Sequence, residues 1–401
     1  MQMKSRWVLA ALAVVSIAAW NGCAQANNPS QATTSLMWIA TAGDQMVRSY
    51  TIDLATGAVG QTGSAVATGV QPQAMALTPD SFALFIANSG DNTIRAYSVK
   101  SDATLTAQSL THTPGQFPVA LAIDPSGKIL FAVDQQSGDV SSYTISSTSL
   151  TLVGSTPTQT PSSPSSIPSA IVVSRTGNFL YVANSATSTV IGFSYDSTGV
   201  LTPLPSTNPN PCGPSAPGYC VQVGANPQGL AFSRCAGVVS ANSTCATADD
   251  NNLFVSNAGS NNISIFTACI QASTTCSTPN GTLTALSSGG TVASCCGPAT
   301  IMVDPAANFV YVLDRGAAQV GEFTYSPVTG TLTALSTTLA STGVSPFSGG
   351  ITSNISNTNW LFVTNTGASS ISAFSVSAGR LTVFSSGPIL VPGQPTAILV
   401  R

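Results

Sequence analysis

Pro168-Ser169-Ala170-Ile171-Val172-Val173, a turn at Arg175-Thr176-Gly177-Asn178, then Phe179-Leu180-Tyr181-Val182-Ala183-Asn184: this stretch decides the fold, because the chain repeats it. A proline opens one apolar strand, and a second apolar strand ends in Asn, Asp or Thr. Further copies open at Pro72 (with Leu84-Phe85-Ile86-Ala87-Asn88), Pro118 (Leu130-Phe131-Ala132-Val133-Asp134) and Pro227 (Leu253-Phe254-Val255-Ser256-Asn257). Two more open at Pro298 (Val310-Tyr311-Val312-Leu313-Asp314) and Pro346 (Leu361-Phe362-Val363-Thr364-Asn365). Consecutive prolines lie 46 (Pro72 to Pro118) to 71 (Pro227 to Pro298) residues apart. Short strands repeated at such a period mean a propeller or a solenoid.

A seventh copy is divided between the ends of the chain. Leu36-Met37-Trp38-Ile39-Ala40-Thr41 has the second half without the first, and Pro395-Thr396-Ala397-Ile398-Leu399-Val400 has the first without the second. A solenoid has no reason to divide a repeat. A ring does, since one blade made from both termini hides the last sheet edge. The sequence therefore predicts an all-β, seven-bladed β-propeller of four-stranded antiparallel blades, closed by pairing its N- and C-terminal strands. The rest of each repeat fits. Third strands such as Thr93 to Val99 alternate apolar and polar residues, and Gly-x-Leu segments such as Gly330-Thr331-Leu332 supply an outer strand. No helical periodicity appears beyond the N-terminus.

The phrase Leu180-Tyr181-Val182-Ala183-Asn184, the preceding Pro-x-Ala strand and the Asp124-Pro125-Ser126-Gly127 turn resemble the YVTN-repeat, lactonase-like propellers. That group includes the propeller form of 6-phosphogluconolactonase and many members without known activity. The resemblance spans roughly residues 35 to 401 and implies the fold; for chemistry it implies a sugar-lactone hydrolase. WD40 and kelch patterns fit worse, because neither Trp-Asp strand ends nor paired glycines recur once per blade.

Only 6% of the 401 residues are charged while 43% are hydrophobic, so hydroxyls and amides supply the polar surface. A net charge of −3 offers no electrostatic footprint for nucleic acid. Residues 1–26 read as an export signal, with Lys4 and Arg6 ahead of the apolar run Val8 to Ala19, too short to span a membrane. Cleavage before Cys23, lipid-modified as in a bacterial lipoprotein, competes with cleavage after Ala26; the lipoprotein route is favoured. A linker at 27–34 and the propeller at 35–401 complete the expected organisation. The protein is expected to be periplasmic or anchored at the outer membrane, alternatively secreted.

Beyond Cys23 there are eight cysteines: Cys212, Cys220, Cys235, Cys245, Cys269, Cys276, Cys295 and Cys296. An even number in an exported chain reads as disulfides, although eight cysteines allow 105 connectivities. Spacing suggests the local pairs Cys235–Cys245 and Cys269–Cys276. The adjacent Cys295 and Cys296 either bond each other or bond Cys212 and Cys220; the vicinal bond is favoured. No metal site is expected, since the sole histidine, His112, lies far from the cysteines and no Cys-x-x-Cys occurs. No cofactor is expected either.

By the usual propeller arrangement, the loops before each Pro-led strand and after each Asn/Asp strand open on one face. That rim is expected to hold His112 to Gln116, Gln71 to Gln73, Gln228, Asp134, Asp314-Arg315 and Cys295 to Gly297. The recurring Asn and Asp side chains are expected to bond turn backbone, with Asp134 and Asp314 standing out as carboxylates. One His and one Glu (Glu322, on a third strand) make catalysis look under-resourced. The favoured expectation is an exported, lipid-anchored, monomeric binding module. It would take a small molecule or a protein on the channel face, at Gln116, Cys295, Cys296 and Asp314, and no nucleic acid. The alternative is a lactonase-like hydrolase opening a sugar lactone, with His112 or Asp134 as base and Arg315 as oxyanion or carboxylate partner.

Overall fold

The computed structural model describes residues 33–158, 166–205, 219–233, 252–272, 276–287, 289–304, 309–336, 339–352 and 359–401. The expected export signal at 1–26, with Cys23, and Cys212, Cys235 and Cys245 lie outside them. Residues Thr34–Arg401 form one compact unit. Seven antiparallel sheets compose it, each ordered from an inner Pro-led strand outward.

Blade 1 takes its inner strand, Pro395–Val400, from the C-terminus and its other three (Thr34–Thr41, Met46–Asp53 and Val59–Ala67) from the N-terminus. Its closing register pairs Met37 with Val400, Ile39 with Ile398 and Thr41 with Pro395. Blades 2 to 7 start at Pro72, Pro118, Pro168, Pro227, Pro298 and Pro346, and their second strands end at Asn88, Asp134, Asn184, Asn257, Asp314 and Asn365. The ring is thus closed as the divided repeat predicts, and among the described residues the only helical turn is Thr366–Ala368.

The second strands are apolar runs because both of their faces are covered; in blades 2 to 5 every residue of that strand is buried. An aromatic side chain stands three residues before the terminal Asn, Asp or Thr in each blade: Trp38, Phe85, Phe131, Tyr181, Phe254, Tyr311 and Phe362. None is exposed to solvent. The core is accordingly a ring of blade-to-blade interfaces, such as Phe179 and Tyr181 of blade 4 packed with Phe232 and Leu253 of blade 5. Buried polar tips of these aromatics find backbone in the next blade, as buried hydroxyl and indole N–H groups must. Trp38 Nε1 donates to Ala103 O (2.8 Å), Tyr181 Oη to Gly281 O (2.6 Å) and Tyr311 Oη to Gly379 O (3.2 Å).

Outer strands divide the blades into two groups. In blades 1 to 3 the outer strand is continuous, with a bulge opposite Val47–Ser49, Arg95–Tyr97 and Ser142–Tyr143. In blades 4 to 7 it is broken into two pieces, for example Leu201–Pro203 and Cys220–Gln222 in blade 4.

Candidate functional site

The channel mouth is built by two local devices. The first is a pair of loops laced together in every blade. The residue after the terminal Asn, Asp or Thr donates its N–H to the carbonyl just before the proline: Ser89 to Gln71 (3.0 Å), Gln135 to Phe117 (2.9 Å), Arg315 to Gly297 (3.1 Å), Thr366 to Ser345 (3.0 Å). Both loops therefore open at the same end of the propeller. The carbonyl residue often adopts a left-handed backbone, with φ of 53° at Gln71, 62° at Phe117 and 54° at Asn226. That conformation is uncommon for a residue with a side chain and is held here by the surrounding lacing. It turns Phe117 toward the channel.

The second device is a β-bulge just after the proline. Pro72 pairs with Asn88 and Ala74 with Ala87, so Gln73 is left out of the ladder. The same shift leaves out Val119, Ser169 and Gln228. A bulge re-aims the side chain of the extra residue. Here it sends Gln73, Val119, Ser169 and Gln228 into a cavity of about 310 Å³ at the mouth, completed by Phe117, Gln135, Thr300, Arg315, Phe347 and Ser348.

Arg315 is the one ionised side chain in that lining. Its guanidinium lies 4.5 Å from the centroid of the Phe347 ring, and Nη2 donates to Phe347 O (2.8 Å). Nε is sealed from solvent and has no partner. Burial lowers the pKa of Arg315 from its ordinary value, yet a guanidinium stays protonated in proteins. Among the described residues the single ion pair is Arg48 with Asp44, in blade 1, so Arg315 is a cation that no carboxylate neutralises. Around it, carboxamides and hydroxyls are already anchored. Gln228 Nε2 donates to Asn226 Oδ1 (2.7 Å), Gln135 Nε2 reaches Pro168 O (3.4 Å) and Ser169 Oγ donates to Pro227 O (2.7 Å).

Of the residues singled out by sequence, only Arg315, Gln73 and Gln228 line this cavity. His112 ends the outer strand of blade 2, exposed and opposite Thr93. Gln116 is exposed on the rim, where its N–H donates to Ser137 Oγ (2.9 Å). Asp134 and Asp314 are wholly buried behind the loops. Asp134 sits under Gly115, so closely that a Cβ there would come within 2.5 Å of the carboxylate side chain. Its Oδ2 accepts from Ser141 Oγ (2.6 Å), while Oδ1 has no partner. Burial, reinforced by the Asp139 charge, pushes its pKa up to about 7 against the pull of the Ser141 and Thr113 hydroxyls. Burial likewise pushes Asp314 up to about 7; Ser294 Oγ donates to its Oδ1 (2.9 Å) and Oδ2 has no partner.

Asp314 borders a side cavity of about 260 Å³ in blade 6, with Cys295, Gly321 and Phe323. The sulfurs of Cys295 and Cys296 meet, with Cα atoms 3.8 Å apart, and Cys296 O accepts from Gly316 N (2.8 Å), bracing the backbone beside Arg315. The sulfurs of Cys269 and Cys276 also meet, with Cα atoms 5.5 Å apart, across the outer turn of blade 5. Cys220 is buried in the outer strand of blade 4. Glu322 is buried on the third strand of blade 6, where Oε1 accepts from Leu381 N (3.0 Å). No group of three metal-ligating acids, thiols or imidazoles occurs among the described residues.

Sequence reasoning missed Phe117, Gln135, Ser169 and Phe347. The signal was present: each stands directly beside a repeat landmark, just before or just after the proline or just after the terminal acid.

The profile of the family described as Lactonase, 7-bladed beta-propeller, matches residues 33–163, 170–339 and 241–390. No curated protein matches the chain. Among solved structures it is similar to a candidate 6-phosphogluconolactonase of Bacteroides fragilis (18% identity, TM-score 0.73, covering 92% of this chain and 98% of that one). It is also similar to the periplasmic gluconolactonase of Pseudomonas aeruginosa (18% identity, TM-score 0.70, 92% and 99%). A protein from Lactobacillus plantarum is comparable (17% identity, TM-score 0.72, 92% and 99%). The family match corrects the expectation of a lipid-anchored binding module. That expectation leaned on the scarcity of acids and bases, but a propeller gathers its site from many blades. One cation at the point where six inner strands converge is a better-equipped site than the composition suggests.

Proposed function

The chain belongs to the lactonase family of seven-bladed β-propellers, and from that premise we propose that it hydrolyses a sugar lactone at the channel mouth. The observation that carries this reading is Arg315, an unneutralised cation set among the carboxamides of Gln73, Gln135 and Gln228. Hydrolysis adds water across the acyl–oxygen bond. The water oxygen joins the carbonyl carbon, negative charge collects on the carbonyl oxygen, and the ring oxygen leaves with a proton. Arg315 meets that developing charge, and its Phe347 platform keeps the guanidinium from reorganising as the charge appears. The carboxamides hold the sugar hydroxyls.

No carboxylate or imidazole lines the cavity among the described residues. The attacking water is therefore not activated by a side-chain base there, and the rate rises with hydroxide instead of following a titration near neutral pH. One cation suits a lactone without phosphate, because a phosphoryl group is ordinarily met by several charged donors. Export fits the basic and apolar N-terminal segment and the paired cysteines, which we take as disulfides, consistent with an oxidising compartment.

Purified protein is assayed against neutral and phosphorylated aldonolactones. Neutral lactone is expected to turn over, and Arg315→Gln to lower kcat by roughly 10²- to 10³-fold, the usual loss for an oxyanion donor. Turnover that survives this substitution places the chemistry elsewhere, and no turnover of any lactone sinks the hydrolase reading. Thiol labelling of the unreduced, denatured protein tests the disulfides; labelling of Cys269 or Cys276 would count against export.

A further inference from the structure

We infer that the channel mouth grips the free sugar acid more tightly than the uncharged lactone, so that the reaction is held back by its own product. The inference rests on the hydrolase reading for its meaning, but it stands on charge. Opening the ring turns a neutral acyl group into a carboxylic acid. That acid gives its proton to solvent near neutral pH, because an ordinary carboxyl of this kind has a pKa of about 3.5. The guest therefore gains a full negative charge, shared between the carbonyl oxygen that faced Arg315 during the reaction and the oxygen delivered by water.

Nothing in the described site discourages that charge. Among the described residues Arg315 has no carboxylate partner, its only side-chain hydrogen bond goes to Phe347 O, and Nε is buried without an acceptor. The acid adjacent to it in sequence, Asp314, turns away into the wall of blade 6, where it accepts from Ser294 and borders the side cavity instead of the mouth. Asp134 is likewise outside the lining. A partly buried cation without a counter-charge is completed by an anionic guest, and a guanidinium offers a carboxylate two donors in matched geometry. The carboxamides and hydroxyls of the lining serve lactone and open-chain acid alike, so they do not offset the preference. A cavity of about 310 Å³ accommodates a six-carbon sugar acid.

The test uses the full-length mature protein and isothermal titration. The probes are potassium D-gluconate, which carries the charge, and D-glucitol, which has the same carbon chain without it. Gluconate is expected to bind the wild type at least ~10-fold more tightly than glucitol, with the margin shrinking as salt is raised. Arg315→Gln is expected to make the two probes equal, and Arg315→Lys to restore part of the preference while keeping the charge. Thermal melting of both variants confirms that they are folded. Equal binding of the two probes by the wild type, or an undiminished preference in Arg315→Gln, overturns the inference. Lactone turnover without a preference for gluconate sinks this inference alone. A preference for gluconate without lactone turnover upholds the anion site and sinks the hydrolase reading.

Discussion

Asn88 in blade 2 and Asp134 in blade 3 occupy the same place, at the end of a second strand, and both are wholly buried. Their surroundings differ: Thr93 stands across from Asn88 with Arg95 two residues further along the third strand, whereas Asp139 stands across from Asp134 with Ser141 two residues further along. Asn88 works in both directions: its Oδ1 accepts from Gly69 N (3.0 Å), and its Nδ2 donates to Thr93 Oγ1 (3.1 Å). Asn365 repeats this in blade 7, accepting from Gly343 N (3.0 Å) and donating to Ser372 Oγ (3.0 Å). A carboxylate can only accept, so in blade 3 the third-strand hydroxyl of Ser141 turns round and donates, and one oxygen of Asp134 is left without a donor. The same residue site thus clamps the crossover loop when it carries an amide, and stores an unfavourable charge when it carries an acid. Buried, incompletely bonded carboxylates are the costly case.

The largest effect is expected from making an Asn blade into an Asp blade. Asn88→Asp removes the donor and aims an oxygen at Thr93 Oγ1, whose own proton is already given to Asp91 Oδ1 (2.7 Å), and at Ile86 O (3.4 Å from Nδ2 in the native side chain). At pH 8 the variant should lose about 4 kcal/mol, within the range for an uncompensated buried charge. At pH 4 much of the loss should return, because a protonated carboxyl can donate as the amide did. Denaturant unfolding at both pH values measures this. A loss under 1 kcal/mol at pH 8 would mean that the amide's two-way bonding is not what holds the loop.

The reverse change is next in size. The pKa of Asp134 is raised in the folded state, from 3.8 to about 7, mainly by burial. An acid of that kind contributes its full share of stability below its unfolded pKa and loses it as pH rises through the folded one. Between pH 4 and 7 the folded protein holds a proton that the unfolded chain has released, so stability falls with pH. Three units correspond to at most about 4 kcal/mol. Asp134→Asn should abolish that slope and stabilise the protein at pH 8 by about 3 kcal/mol, with no gain at pH 4. A gain of equal size at both pH values would assign the effect to packing under Gly115 and not to charge.

These effects bear on what could be read beforehand. The repeat, the number of blades and the closing strands were legible because apolar runs covered on both faces, and a phrase divided between the termini, are patterns along the chain. The terminal Asn and Asp positions were legible as turn-bonding residues for the same reason. The cavity lining was not, because it depends on a bulge after each proline and a left-handed residue before it. Neither leaves a strong mark in composition, and together they gather one side chain from each of several blades. His112 stands outside the lining because the segment it ends is the outer strand, farthest from the channel in its sheet. Arg315 could be found, being the rare charge beside a repeat landmark.

The smallest and most discriminating effect concerns blade 6. Asp314 has the same raised pKa as Asp134, so Asp314→Asn should also remove a cost at pH 8. Its new donor, however, would lack the third-strand acceptor that blades 5 and 7 provide. Opposite the residue two before the terminal Asn, blades 5 and 7 carry Ser264 and Ser372, and blade 6 carries Gly321. Those serines accept from Asn257 (2.9 Å) and Asn365 (3.0 Å). An unpaired buried amide donor costs about 1–3 kcal/mol, which cancels most of the gain, and Asp314→Asn alone should add about 1 kcal/mol at most. Gly321→Ser alone should be close to neutral: its hydroxyl gains the unpartnered Asp314 Oδ2, as Ser141 bonds Asp134 in blade 3, but its Cβ meets Phe323 Cε2 at 3.0 Å and the ring must shift. Together the two changes rebuild the Asn–Ser pair of blades 5 and 7, and the double variant should exceed the sum of the singles by about 1 kcal/mol, a coupling readily measured in a double-mutant cycle. Strict additivity would mean that the serine and the amide do not meet, and that blade 6 differs from its siblings by more than these two residues.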